Sequence, residues 1–495
     1  MRTACIPIPK AASRPPETIY VNVMPQETRV AVMREGLLRE IHIERPQDRS
    51  EVGNIYSGVV SRVVPGLQSA FVDVGLERTG FLHAQDARRD REDGGFRIER
   101  ALAEGQRVLV QAVKNPIGEK GARLTARVSL AGRFLVYCPY DEGVGVSKRI
   151  DDETERERLR DLIQGLGVDG GFIARTAALG VGGDALGQEA QALRREWLAI
   201  REAFSSRSGV GLLRSEAALA DRVIRDLYCD DTEAIWVDDE RQWRRMRARA
   251  RAIAPGAEKA LRLRSDPSPM FREMGIERAI ADALRKRVDL DFGGCLFIET
   301  TEAMTTIDVN TGKFTGGVDF EQTVFTANVE ACRAIAREIA VRNLSGIIVV
   351  DFIDMGSEES ERRLLEAFAE ELKYDREYVE LYGFTALGLV ELSRKRERKS
   401  LGRIEMRPCR ACGGLGAVES DETIACGALR RAVEEARMRQ AGDRDATLIA
   451  APEIVELLRG GEKESVAAIE KAEGMTLGLK PDASKRRGEF ELRFG

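Results

Sequence analysis

Cys295-Leu-Phe-Ile-Glu-Thr-Thr-Glu-Ala-Met-Thr-Thr-Ile-Asp-Val-Asn-Thr-Gly-Lys313 and Gly346-Ile-Ile-Val-Val-Asp-Phe-Ile-Asp-Met355 are apolar, β-branched runs separated by one long helical pattern. Each carries acid at or near its carboxyl end, a frequent place for active-site residues in mixed α/β folds. Asp308 and Asn310 are two apart, so on a strand they share a face. Asp351 ends Ile347-Ile-Val-Val350, a run that reads as too apolar for a strand with a wet face. A carboxylate there needs a partner, because an unpaired buried charge is very costly. Mg²⁺, held by one or two carboxylates plus substrate phosphate, is a natural candidate. Asp-x-Asn before Thr-Gly is also good turn chemistry, and a strand-end Asp often caps the next helix.

Outward from this block the grammar is that of an α/β layer. Residues 321–343 and 360–374 carry helical periodicity, and Phe384 to Leu392 reads as a further strand. Ser393-Arg-Lys-Arg-Glu-Arg-Lys follows directly, bringing phosphate-binding charge through Arg394, Lys395 and Arg396. Upstream, Gly275 to Val288 reads as an amphipathic helix and 185–265 as mostly helical, with an Arg-rich helix after Trp243.

Residues 51–130 hold short alternating strands at Tyr56–Val64, Ser69–Val74, Gly80–His83 and Arg107–Lys114. About five such strands suggest a small closed barrel of OB type. Phe71 and Phe81, on neighbouring strands, are either core or a platform for unpaired bases, worth roughly 1–3 kcal/mol per base. Lys114 and Lys120 add charge for a backbone-tracking groove. Arg88–Glu104 reads as a solvated insert. Arg175-Thr176, at the end of Gly171-Phe-Ile-Ala, pairs a guanidinium fork with a hydroxyl, a combination suited to a terminal phosphate.

The 495 residues carry 77 Lys plus Arg against 82 Asp plus Glu, a net charge of −5, with 43% hydrophobic residues. That excludes a global polycation and a disordered chain; nucleic acid would be met by local basic patches. Two histidines, His42 and His83, argue against a His-based hydrolase. No run approaches the roughly 20 apolar residues of a membrane span, and scattered cysteines point to a reducing cytoplasm. Cys409-Arg-Ala-Cys412 offers half of a four-ligand zinc site shared between two chains, a redox pair, or free thiols.

Seven motifs in order carry a resemblance: Gly53-Asn-Ile-Tyr-Ser-Gly, Ala70-Phe-Val-Asp-Val-Gly, Gly171-Phe-Ile-Ala-Arg-Thr-Ala, Glu302-Ala-Met-Thr-Thr-Ile-Asp-Val-Asn-Thr-Gly, Gly346-Ile-Ile-Val-Val-Asp-Phe-Ile-Asp-Met, Ser393-Arg-Lys-Arg and Cys409-x-x-Cys412. From about Tyr20 onward the chain resembles the bacterial ribonuclease E/ribonuclease G family of endoribonucleases, and its length resembles the ribonuclease G branch. The resemblance implies a multidomain α/β and α+β protein. Its parts would be a mobile extension (1–18), an RNase H-like domain (19–40 plus 222–282), an OB barrel (41–130) and a 5′-phosphate sensor region (131–221). A deoxyribonuclease-I-like catalytic domain (283–403), a zinc-link (404–416) and a small terminal domain (417–495) would follow. It implies that Asp308 and Asp351 hold Mg²⁺ while Asn310 orients the carboxylate and meets the scissile phosphate. Phe71, Phe81 and Lys120 would bind RNA; Gly132, Val136, Arg175 and Thr176 would receive a 5′-monophosphate; Cys409 and Cys412 would share Zn²⁺ across a homodimer or dimer of dimers. Substrates would be single-stranded, AU-rich stretches of rRNA precursors and mRNA. Departures are Arg410-Ala411 in the zinc knuckle and Ser393 for a more usual Thr. The rival readings are a non-catalytic RNA-binding protein built on the barrel and a zinc-linked DNA nuclease.

Overall fold

In the computed structural model the described residues are 6–7, 15–87, 97–116, 120–266, 268–291, 293–311, 320–440 and 443–495. The chain divides into two compact units, Met1–Glu405 and Met406–Gly495.

The larger unit is organised by a seven-stranded sheet whose order in space is 6–7, 379–384, 390–394, 346–351, 304–310, 295–300 and 287–289. Met304–Asn310 and Gly346–Asp351 run parallel at its centre, linked by the crossover helix Phe320–Val341. Ile307, Val309, Ile348 and Val350 point to one face, where Ile335 and Ile339 of that helix and Leu364 and Phe368 of Glu358–Leu372 cover them. Each such side chain contributes about 1.5–3 kcal/mol on burial. A slip of one residue would exchange Ile307 and Val309 for Thr306 and Asp308, so the register is fixed by the core.

The other face is open, and here an expectation is corrected. The run before Asp351 is not buried on both sides: Ile347 is 53% exposed while Ile348 is fully buried. Helices pack on one face only, so alternate residues of an all-apolar run meet solvent. The single strand expected over 384–392 is a hairpin, Val379–Phe384 and Val390–Arg394, turning at Gly388 with φ +80°. The helix expected from Gly275 to Val288 stops at Asp282, and Arg287–Asp289 becomes the sheet's edge strand.

A five-stranded sheet joins Glu17–Met24, Glu27–Arg34 and Leu37–Glu44 to Thr232–Val237 and Leu261–Leu263. The third strand continues past residue 40, since Ile43 and Glu44 still pair with Arg29 and Thr28. Most of the extension expected over 1–18 lies outside the described residues. Within it, Ile6–Pro7 pairs with Leu381 and Glu380, and Glu17 is fully buried, so neither is loose chain. Glu17 and Glu40 both receive the Arg376 guanidinium, the latter at 2.7 Å, tying this sheet to the chain after Glu358–Leu372.

Residues 55–125 form a barrel: Ile55–Val64, Ser69–Asp73, Gly80–His83, Arg123–Thr125 and Arg107–Lys114 close on themselves through the first and last. Gly80 is required there, because a Cβ would lie 2.4 Å from Leu124. Residues 88–96 of the solvated insert lie outside the described residues; its remainder includes the short helix Ile98–Ala101, whose Ile98 is fully buried. A four-stranded sheet (130–131, 135–138, 171–174, 144–146) packs against the helices Glu153–Gln164 and Gly183–Ser206. The smaller unit has the sheet 477–481, 446–450, 490–494 against three helices. Among the described residues no helix is long and apolar enough to cross a membrane.

Candidate functional site

Asp308 and Asp351 are in-register partners on the two central parallel strands, both exposed on the open face. The sheet spacing places such neighbours about 4.8 Å apart along the hydrogen-bonding direction. Asn310, two residues on and facing the same way, donates its amide Nδ2 to Asp308 Oδ2 at 2.6 Å. Desolvation first, then the negative charges of Asp308 and Asp354, hold the Asp351 carboxyl above its ordinary range. Among the described residues the charges that bear on Asp351 are carboxylates, an arrangement that fits a cation.

Among the described residues no cluster of three or more His, Cys, Asp or Glu could cage a metal. Two exposed carboxylates suit an ion such as Mg²⁺, which keeps waters and takes substrate phosphate as further ligands. The strand end is anchored from beneath by Asn328, a fully buried residue of the crossover helix. Its Nδ2 donates to the Ile353 carbonyl at 2.8 Å and its Oδ1 accepts from the Ile353 amide at 3.1 Å. A polar residue inside an apolar helical repeat was the available sequence signal for it.

On the barrel, one row crosses five strands: Arg62 pairs with Phe71, Phe71 with Phe81, Phe81 with Arg123, and Arg123 with Lys114. The two rings are half-exposed, edge to face, 6.0 Å between centroids. Core residues such as Val72 and Leu82 point the other way. Lys114 and Lys120 are exposed. Arg62 and Arg123, which sequence reading did not single out, flank the rings; Arg123 is held by Asp86 at 2.8 and 3.0 Å.

Gly132, Arg175 and Thr176 come together. Arg175 donates its backbone N–H to the Phe134 carbonyl at 2.7 Å, and its guanidinium spans the Gly132 carbonyl and Asp226, the latter at 2.9 Å. Burial pushes the Asp226 carboxyl up, but Arg225 and Arg175 outweigh it and hold it below its ordinary range. Gly132 admits no side chain, because a Cβ would meet the Glu189 carboxyl carbon at 2.6 Å. That carboxylate accepts the backbone N–H groups of Arg133, Phe134 and Leu135 at 2.6, 2.8 and 2.8 Å. Val136 lies on the adjoining strand, paired with Ile173.

The basic stretch divides. Arg394 is 3% exposed, bound to Asp375 at 2.7 and 3.0 Å and to Asn343 and the Leu344 carbonyl. Its inclusion among RNA-contacting residues is corrected: the guanidinium is spent inside the fold, because its strand position faces the core side. Lys395 and Arg396 remain exposed.

In the smaller unit Cys412 Sγ accepts the Gly416 N–H at 3.3 Å. The Gly416 and Gly414 amides, with the Cys409 thiol, lower the Cys412 pKa toward thiolate. That suits zinc, but two thiols supply half of a tetrahedral set.

The profile of the Ribonuclease E/G family matches residues 129–397. Ribonuclease G of Haemophilus influenzae is 44% identical over 393 residues, 77% of this chain and 80% of the relative. Ribonuclease G of Escherichia coli K12 is 40% identical over 485 residues, covering 96% and 99%. Ribonuclease E of a Nostoc species is 38% identical over 385 residues, 75% of this chain and 55% of that one.

Proposed function

The chain belongs to the ribonuclease E/G family and is an endoribonuclease of RNA processing and decay; we propose that it hydrolyses single-stranded RNA at Asp308, Asn310 and Asp351. The observation that carries this reading is the in-register pairing of the two aspartates on the open sheet face, with Asn310 bonded to one of them. Asp308 and Asp351 would hold Mg²⁺. The cation supplies Lewis acidity at a phosphoryl oxygen and a more acidic water. The Asn310 amide engages one Asp308 oxygen, orienting the carboxylate that would hold the cation. The same amide would donate to a non-bridging oxygen of the scissile phosphate. Attack of water on phosphorus and departure of the 3′ oxygen leave 5′-phosphate and 3′-hydroxyl ends.

Substrate is gripped away from the cut. Phe71 and Phe81 stack unpaired bases, and Arg62, Lys114 and Lys120 meet the phosphates, which favours single strands over duplex. Lys395 and Arg396 add charge near the sheet. Arg175 and Thr176, beside Gly132 and Val136, receive a 5′-monophosphate; the half-exposed Arg175 guanidinium, held in place by Asp226, supports that role. Cys409 and Cys412 hold zinc with the same pair from a second copy, making a dimer the working unit. Among the described residues none of the seven cysteines forms a disulfide, in keeping with a cytoplasmic setting.

Asp308→Asn and Asp351→Asn are each expected to abolish Mg²⁺-dependent cleavage of a single-stranded RNA while leaving its binding within about twofold. Tight binding with no chelator-sensitive cleavage by the unaltered protein would establish the rival, a non-catalytic RNA-binding protein.

A further inference from the structure

On the strand Cys295–Thr300, Leu296 and Ile298 enter the core, and Phe297 points to the open face with 37% of its surface exposed. Among the described residues the helices of the layer pack on the opposite face, so the ring lies outside that core. Its in-register partner is Asp308, whose partner in turn is Asp351. The three side chains therefore form one line across three strands: ring, carboxylate, carboxylate. Antiparallel same-face neighbours stand about 4.5–5.5 Å apart at Cβ. A phosphate seated between the two aspartates is thus about one and a half strand spacings, roughly 7 Å, from Phe297. Met304 and Ile347, paired on the same face further back, are 38% and 53% exposed and keep the surface behind the acids apolar.

We infer that Phe297 is the stacking platform for the unpaired base next to the scissile phosphate, a base-binding subsite within the cutting site itself. A single strand presents phosphates and flat π-faces at adjacent positions, and this row presents a cation site and an aromatic face at matching spacing. Stacking is tolerant of base identity, so the subsite selects for a base free of pairing rather than for one letter. Holding that base also fixes the phosphate over Asp308 and Asp351, and the barrel's rings need then grip only the more distant part of the strand. The inference rests on the proposed role of the two aspartates.

The test uses the full chain and a short single-stranded RNA with one defined cleavage site. Phe297→Ala is expected to raise KM by roughly five- to 150-fold, the range of one lost base stack. Phe297→Trp should stay within about threefold of the unaltered protein, and Phe297→Leu should behave like Phe297→Ala. In an Asp308→Asn background, 2-aminopurine placed beside the scissile phosphate should be quenched on binding, and Phe297→Ala should abolish the quenching at that position alone. Unchanged KM in Phe297→Ala, or full rescue by Leu, overturns the inference. If Asp351→Asn is inactive while Phe297→Ala is normal, the subsite fails and the cutting site stands. If Asp351→Asn is active, the cutting site itself has been misassigned.

Discussion

Asn328→Ala isolates the anchoring of Asp351 from its chemistry. Asn328 is fully buried and makes two hydrogen bonds, 2.8 and 3.1 Å, to the one peptide of Ile353. Two neutral hydrogen bonds are worth about 1–3 kcal/mol of stability together, and leaving the amide and carbonyl without partners sets the cost toward the upper end. The functional cost is separate. Ile353 is two residues beyond Asp351, at the point where the strand ends, so a freed peptide lets the carboxylate move relative to Asp308. A displacement near 1 Å at a reacting centre costs about a hundredfold in rate. The expected result is a kcat lowered by about ten- to a hundredfold with a higher Mg²⁺ requirement, while the affinity for uncleaved RNA stays within about twofold. Single-turnover cleavage across a Mg²⁺ titration, beside urea unfolding, makes both measurements. A variant that loses 1–3 kcal/mol yet cleaves normally with an unchanged Mg²⁺ requirement would show that Asn328 supports the fold and not the site.

Arg376→Ala removes the shared partner of Glu17 and Glu40, two buried carboxylates, and should cost about 3–5 kcal/mol in urea unfolding, with part recovered by adding Glu17→Gln. His42, buried beside Glu40, has its pKa lowered from 6.5 to about 4, by burial first and then by Arg398. The unfolded chain therefore binds this proton between those values and the folded chain does not, so stability is full above pH 6.5 and falls toward pH 4. Between pH 7.5 and 4.5 the unaltered protein should lose about 2–3 kcal/mol more than His42→Gln, and parallel unfolding curves would refute the assignment. Metal analysis should give half a zinc per chain, with Cys409→Ser abolishing both zinc and the dimer in sedimentation; one zinc per chain would mean a closed site within one chain.

The strands that carry the acids, the crossover helix after them and the barrel were legible because their patterns are local. Periodicity places Asp308 and Asn310 on one face without any knowledge of what covers the other. What escaped was whatever depends on a partner distant in sequence. Ile347-Ile-Val-Val350 reads the same whether helices cover one face or both, so the half-open sheet was invisible. Arg394 looked like its exposed neighbours until Asp375 and Asn343 were brought beside it. The barrel's fifth strand, Arg123–Thr125, has three residues and no alternation long enough to read. Glu17 reads as part of a loose extension, because its two cations, Arg34 on Glu27–Arg34 and Arg376 in the chain after Glu358–Leu372, reach it only in the fold.

The same open face is what the proposed cutting site requires. A carboxylate pair buried on both sides would stay in place only if protonated or internally neutralised, and then could not take a cation from solvent. Here the core on one face sets the register, and the register sets Asp308 against Asp351, whose carboxyl is held up by desolvation and then by the Asp308 and Asp354 charges. The unfavourable proximity of two negative charges is tolerated because both reach water. In the proposed site a cation held by both aspartates would relieve it, and substrate phosphate would supply further ligands to that cation.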